Sequence, residues 1–562
     1  MENDNVKCKK CEKNFVIENE DFAFYTRLQV PPPTLCPQCR FQRRMSWRNG
    51  WHLFKRKDDH DGKDIFSLFP QESPVKVYDR DFWWSDGWDP MEYSRDYDPS
   101  RSFFEQFRDL LYAVPLPSHS AFNLTNCHYC TNLGDCKNCY LVRGAINTED
   151  SAYLIWDYGS KQCMDSHMTT KCELCYGCVN TENCYKTFFS VDCTDCQEMI
   201  FSKDCVGCNN CFGCFGLRSK SYCIFNEQYT KEEYQRKLQE MDIASHANFE
   251  RYRAQAYEHW QKYPHKFMHG LRNINSSGDY VYESKNAKLC YRGHGMEDCK
   301  YVQNILSQSA KDSYDHSNYG EGTELCYEDL IVGRGGYNIK FSSHTYINVK
   351  NIEYGFFCHS SSDLFGCVGL RNKQYCILNR QYDKQSFDEL RTRIIARMRE
   401  DGEYGEFMPS SMSYFPYPIT EAHEFFPLTN EQANERGFRV FDLPKQIYTT
   451  TILAQDIPDD IKNATEDILQ AVIECSHQEQ CAQECTGAFR IIPEELTFLR
   501  RMNLPLPRLC PNCRHYERLT LRNPPVFYKR QCGKCGGEVE TSYSPDRPEV
   551  IYCESCYQHE VV

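Results

Sequence analysis

ENCYKTFFSVDCTDCQEMIFSKDC, residues 182–205, places Cys184, Cys193, Cys196 and Cys205 at gaps that are all multiples of three. Its two halves, ENCYKTFFSVDC and TDCQEMIFSKDC, echo one another twelve residues apart. The rule extends outward, for all sixteen cysteines from Cys127 to Cys223 fall in one class modulo three. Other members of the class are mostly small or apolar, among them Ala145, Thr148, Ser151, Leu154, Ser166 and Met199. A helix repeats at 3.6 residues and a plain strand at two, so a strict period of three fits neither. It fits short strands and corners wound on themselves, with inward residues kept small because neighbouring coils stack on them. The pattern predicts a mainly β fold built on a Cys-rich β-solenoid. The recurring gaps of nine, twelve and twenty-one among the cysteines suggest a coil near twenty residues. A ladder of inward thiols suits a soft metal such as Cu(I) or an iron–sulfur cluster, but free cysteine also packs as a small hydrophobe, and the regular phase favours packing because a cluster needs only one focus of four thiols.

A second array runs from about Gly278 to Cys376, with Cys290, Cys299 and Cys326 in one phase and Cys358, Cys367 and Cys376 in another. Its close, FGCVGLRNKQYCILNRQY from Phe365, mirrors FGCFGLRSKSYCIFNEQY from Phe212, and a charged helical stretch follows each. Thr230 and Glu233 have the spacing of a capping box at the first of these helices. Phe103, Phe104, Phe107, Leu110 and Leu111 have helical spacing just before the first array and predict its N-terminal cap. WWSDGWDP, residues 83–90, reads as a docking segment, with ligand stacking as the alternative. The division expected is a zinc-ribbon module at 1–90, a cap helix and linker at 91–122, array 1 at 123–229 and a helical insert at 230–270. Array 2 follows at 271–382, a helical or irregular connector at 383–474 and a double zinc-ribbon module at 475–562.

The two ends are copies of one module. LCPQCRFQRRMSWRN from Leu35 matches LCPNCRHYERLTLRN from Leu509, and the gap from Cys11 to Cys36 equals that from Cys485 to Cys510. Close pairs of thiols on tight turns are what a tetrahedral zinc site requires. Cys8, Cys11, Cys36 and Cys39 form one expected site, and Cys532, Cys535, Cys553 and Cys556 another. Between them in the chain, Cys481, Cys485, Cys510 and Cys513 form a third, with Cys475 and His477 as alternative ligands or, on the simpler reading, the end of a helix that starts near Asp459. The duplication predicts that the N-terminal copy keeps a second ribbon's frame with Asp58, Asp61, Asp79 and Phe82 where the C-terminal copy has cysteines. About three Zn2+ per chain follow, each closed by four thiolates and therefore structural.

Thirty-five cysteines without an apolar leader near Met1, and without a run of about eighteen apolar residues, point to a reducing compartment, the cytoplasm, and to no membrane partner. A formal net charge of -14 argues against a wholesale nucleic-acid coat, although local basic patches stand out. Arg40, Arg43, Arg44, Arg48, Lys55 and Arg56 interleave with Phe41, Trp47, Trp51 and Phe54. The second copy has Arg514, Arg518, Arg522, Lys529 and Arg530. Guanidinium forks beside aromatic faces suit phosphates and unstacked bases, or else a salt-bridged face docked on an acidic body. There is no GxSxG elbow, phosphate loop or HExxH, and His294, His316, His344 and His359 are expected to line the surface of array 2. The expectation is a non-enzymatic scaffold whose ribbons contact a macromolecule, RNA first and a protein assembly next. The rival from a different class is a β-helix enzyme acting on carbohydrate or a small molecule.

PPPTLCPQCRFQRR, WWSDGWDP, FFEQF, the NCY-type repeats and the terminal IYCESCYQHEVV together resemble a family of uncharacterised Cys-rich zinc-ribbon proteins from uncultivated small-genome bacteria. The resemblance covers nearly the whole length and implies this same architecture. Some members carry a CaiB/BaiF-type CoA-transferase label, but no doubly wound βαβ pattern or matching catalytic Asp is readable here. Near Lys57 to Asp61, where related sequences often keep a cysteine, this chain has none, in keeping with a lost second ribbon.

Overall fold

Between Thr131 and Glu182 the chain forms five four-residue strands, each paired in parallel with the next at a step of twelve residues: Thr131↔Arg143, Arg143↔Ile155, Ile155↔His167 and His167↔Val179. Isolated bridges continue the same step, from Thr125↔Lys137 to Val206↔Arg218. The repeat is therefore twelve residues, shorter than the near-twenty spacing suggested. The step divides into four units of three because every third residue turns with positive φ, as at Asn123, Asn126, Tyr129, Asn132, Asp135 and Asn138. Such turns cost a non-glycine residue about 1–2 kcal/mol, least for Asn and Asp, whose short polar chains bond locally. Here those side chains also stack: Asn126 donates to Asn138 at 3.0 Å and Asn138 to Asp150 at 2.7 Å.

The inward residue of each unit does more than fill space. Two amides of every three bond to carbonyls of the neighbouring strand, as Thr125 N does to Cys136 O and Asn138 N to Thr125 O. The third belongs to the inward residue itself and, where the residue twelve positions earlier is Ser or Cys, meets that side chain. Cys163 N donates to Ser151 Oγ, Cys178 N to Ser166 Oγ and Val142 N to Cys130 Sγ, at 3.1, 3.1 and 3.4 Å. The thiols in turn donate to carbonyls, Cys178 to Thr187 O at 3.2 Å for example. Cys, Ser and Thr recur at this phase because a buried amide left unpaired costs about 1–3 kcal/mol. Ser166→Ala is accordingly expected to lower stability by about that amount while Ser166→Cys stays near neutral, as read by chemical denaturation.

The computed structural model describes residues 4–305, 310–443, 448–481 and 483–560. The second array opens on a step of eleven, Gly270↔Val281, takes the step of twelve at Gly278↔Cys290, then lengthens: Gln303↔Ser317, Tyr314↔Tyr327, Cys326↔Ile339 and Ile339↔Ile352. It returns to twelve at Ile352↔Leu364 and Leu364↔Cys376. The two thirteen-residue steps after Cys326 shift the phase by two, which accounts for the second cysteine phase. Each array closes on a short antiparallel strand, Glu227–Gln228 or Arg380–Gln381, that covers the last parallel edge. Helices Lys231–Met241 and Lys384–Glu400 follow, and the Thr230–Glu233 capping box is formed. The protein is 28% strand and 25% helix, so it is mixed α and β where the repeats alone predict mainly β.

The arrays lie against one another, with Tyr280 Oη donating to Asp192 at 3.1 Å and Arg292 over the Trp156 ring at 5.8 Å. The end modules dock crosswise on them. Helix Pro37–Met45 of the N-terminal module packs on the second array, and helix Pro511–Thr520 of the C-terminal module on the first. The other half of each module pairs with the opposite array's threshold: Val77–Tyr78 with Leu116–Pro117, and Ile551–Tyr552 with His265–Lys266. The helix Phe103–Ala113 forms as expected but packs on the second array rather than the first. Phe103 meets Tyr354 and Phe365, and Phe107 meets Phe356, because those rings form an aromatic column that its apolar face fits. Trp83 is buried, its indole donates to Pro115 O at 2.8 Å, and Arg371 lies over its ring, which makes WWSDGWDP a docking segment.

Candidate metal centres

Three groups of four cysteines gather with all sulfurs within 4.8 Å of one another: Cys8, Cys11, Cys36 and Cys39; Cys475, Cys485, Cys510 and Cys513; Cys532, Cys535, Cys553 and Cys556. Two sulfurs each about 2.3 Å from one tetrahedral metal stand about 3.8 Å apart. The distances Cys11–Cys36, Cys475–Cys513 and Cys535–Cys553 are 3.7, 3.8 and 3.8 Å. The donor sets and their edges fit a metal ion at each of the three places.

One construction makes all three. The second pair opens a helix, with Cys36 or Cys510 as its N-cap and Pro at the first position, where no amide is needed. Its first amide bonds back to the first knuckle's sulfur: Cys36 N to Cys8 Sγ at 3.3 Å, Cys510 N to Cys475 Sγ at 3.2 Å, Cys553 N to Cys532 Sγ at 3.3 Å. Cys475 therefore stands where Cys8 does, and the four-thiol group contains Cys475 instead of the expected Cys481. No helix from Asp459 ends there. Short turns Ile461–Asn463 and Glu466–Leu469 and the strand Ile473–Glu474 deliver Cys475 to the cluster. The residues between Cys475 and Cys485 are an insertion in the knuckle, which a search for close pairs misreads.

The second ribbon of the N-terminal copy keeps its frame with oxygen in place of sulfur. Asp79 N donates to Asp58 Oδ2 at 3.2 Å, as Cys553 N does to Cys532 Sγ, and Gly62 N bonds Asp58 O as Gly536 N bonds Cys532 O. The His60 ring stacks on Phe82 at 3.7 Å where the other copy gathers thiols.

The thiols differ in kind. Burial works against ionisation of Cys532, yet the amides of Cys535 and Cys553 draw it down to about 6, and the Cys39 thiol holds Cys36 near 5. In the arrays, burial pushes Cys130, Cys290 and Cys358 up to about 12. Facing array thiols such as Cys136 and Cys139 split, Cys136 down through the hydrogen bond from Cys139 and Cys139 up by the same contact.

The arginines expected to meet nucleic acid are turned inward. Arg40 and Arg44 both reach the buried Asp315, at 2.8 and 3.1 Å, and Arg43 bridges Glu328 and Glu406. In the other copy Arg514 and Arg518 both reach the buried Asp165, at 3.2 and 2.7 Å, and Arg514 also pairs with Glu495 at 2.7 Å. Arg48 pairs with Glu421 and Arg522 with Glu424, two acids on the one short helix Glu421–Phe425. Burial pushes Glu424 up to about 7 against the pull of Arg522. Arg56 and Arg530 bond matching carbonyls, Pro70 O and Ser544 O. Lys55 and Lys529 are exposed and paired with Asp64 and Glu538. These side chains hold the chain's own carboxylates and backbone, so the docking alternative is the one their geometry matches. The acids were not legible because acidic residues are common throughout; the one available signal was the matched setting of Asp165 in MDSH and Asp315 in YDHS.

His294 is exposed, but His316 and His359 are buried, in contrast to the surface expected for them. His316 lies between Asp329 and Thr323. His359 stacks on Tyr346 at 5.2 Å with Trp84 tilted against it at 4.6 Å, in a cleft it shares with Asn49, His119 and His344. Burial draws His119 down to about 4 and His344 and His359 to about 3, so these rings are neutral near pH 7. Among the described residues no helix is long and apolar enough to cross a membrane.

No family model and no curated protein matches this chain. Among solved structures, one of a protein assigned as an acetyltransferase from Desulfovibrio desulfuricans aligns at 8% identity over 50% of this chain and 78% of that one. Its TM-score is 0.09, which carries no argument about fold or activity.

Proposed function

We propose that this chain is a non-enzymatic, zinc-braced scaffold, a pair of four-cornered β-solenoid segments, the first with twelve residues to the coil and the second with eleven to fourteen, clasped crosswise by its end modules. The observation that carries the reading is the clasp itself: Arg40 and Arg44 on Asp315, and Arg514 and Arg518 on Asp165. The strongest functional signal in the sequence is spent on internal cohesion. Closed four-thiol sites favour zinc in a structural role, and thirty-five thiols with no disulfide favour a reducing compartment such as the cytoplasm. The partner is a protein. An open strand face of the first array presents Phe122, Tyr158 and Val206 in one column at multiples of the twelve-residue step, partly exposed, and a basic groove is replaced by internal ion pairs.

Titration of a labelled RNA pool at low salt tests the reading. No saturable binding is expected at any salt, and charge reversal of Arg43 and Arg44 should lower stability without a binding change to report. Binding that weakens steeply with salt would overturn it, since phosphate contacts release counterions.

A further inference from the structure

The middle cluster has more ligands than one metal needs. Cys513 belongs to the four-thiol group, but its sulfur also stands 3.8 Å from Cys481 Sγ, the same edge as that to Cys475. His477, Cys481 and Cys513 bring their donor atoms within 4.8 Å of one another. The Nδ1 of His477 is buried and, among the described residues, has no hydrogen-bond partner.

The insertion that carries His477 and Cys481 is held at both ends. Ser476 donates through its amide and hydroxyl to Arg508 O, at 2.9 and 3.0 Å. Glu484 accepts from Tyr516 Oη at 3.1 Å and, through its backbone oxygen, from Asn512 Nδ2 at 2.9 Å. The other two clusters have only two residues between the paired thiols of the first knuckle and carry no fifth sulfur.

We infer that the middle centre is binuclear: Cys513 bridges the structural metal to a second zinc-class divalent cation, bound by His477 and Cys481. This rests on the proposal that the four-thiol groups hold zinc. A thiolate can bridge because it keeps lone pairs after the first bond, and a sulfur–imidazole set suits zinc or a similarly soft ion. Three protein donors leave the second ion one position for water or an added ligand, so it is the exchangeable ion of the molecule.

Metal analysis of the full chain, purified under reducing conditions in zinc and desalted, separates the cases. Four equivalents are expected, falling to three in Cys481→Ser and in His477→Ala, with secondary structure unchanged. Three equivalents in all proteins would overturn the second ion while leaving the four-thiol reading intact. A fall from three to two in Cys481→Ser would overturn it by making Cys481 a ligand of the first ion. Fewer than three in the unaltered chain would overturn both readings.

Discussion

Asp315→Ala is expected to cost about 3–5 kcal/mol, the usual penalty when one partner of a buried charge pair is removed and the other is left uncompensated. Two guanidinium groups converge on Asp315, and neither can reach water where it lies: the side chains of Arg40 and Arg44 are at most 2% exposed. Arg40 keeps a longer contact to Glu328 at 3.7 Å, but among the described residues Arg44 retains only Ser317 Oγ at 3.5 Å. The loss should appear as release of helix Pro37–Met45 from the second array, with faster proteolysis of the N-terminal module. The thiols of its cluster lie on the module itself, so metal content should not change. Asp165→Ala is the matched experiment at the other end, where among the described residues Arg518 has no second acid. A second change, Arg44→Met, should recover part of the loss by removing the stranded charge.

On the proposal that the four-thiol groups hold zinc, the effect of removing it is expected to be larger still. Structural zinc contributes about 10–16 kcal/mol of apparent folding free energy in small zinc-finger peptides near neutral pH. Each end module is larger than such peptides, but around its thiols it has only two-stranded ribbons and short helices such as Pro37–Met45 and Pro511–Thr520. Strong chelation under reducing conditions should therefore unfold both modules, and hydrogen exchange should show helices Pro37–Met45 and Pro511–Thr520 losing protection together with the metal. Cys553→Ser with Cys556→Ser is the local version: the last ribbon should loosen while helix Pro511–Thr520 stays docked. Unchanged protection after complete removal would mean that docking alone folds the modules.

The period of three was legible because the inward phase is chemically restrictive: only a small side chain with an acceptor can take the amide twelve residues on, as Ser166 does for Cys178. The step length was not, because Cys, Ser and small or apolar residues recur at every third position, and the thiol pattern gives the unit but not the number of units in a circuit. The outer four-thiol groups were legible from close pairs. The middle one was misread at Cys475 because a knuckle can accept an insertion wherever the loop leaves its two anchor bonds in place. The inward turn of the arginines was the largest surprise. A basic, aromatic-laced stretch has the same composition whether it faces phosphate or Asp315, and only the fold supplies the acid from 275 residues away.

That separation has a consequence for how the molecule is made. Helix Pro511–Thr520 leaves the ribosome after Asp165 and finds its seat already built. Helix Pro37–Met45 emerges first, and at about 5–20 residues per second the strand bearing Asp315 follows roughly 14–55 s later. Throughout that interval its arginines have no internal partner, so the nascent chain is briefly a basic, solvent-facing object although the finished one is not. A chain interrupted before residue 315 would keep that character permanently.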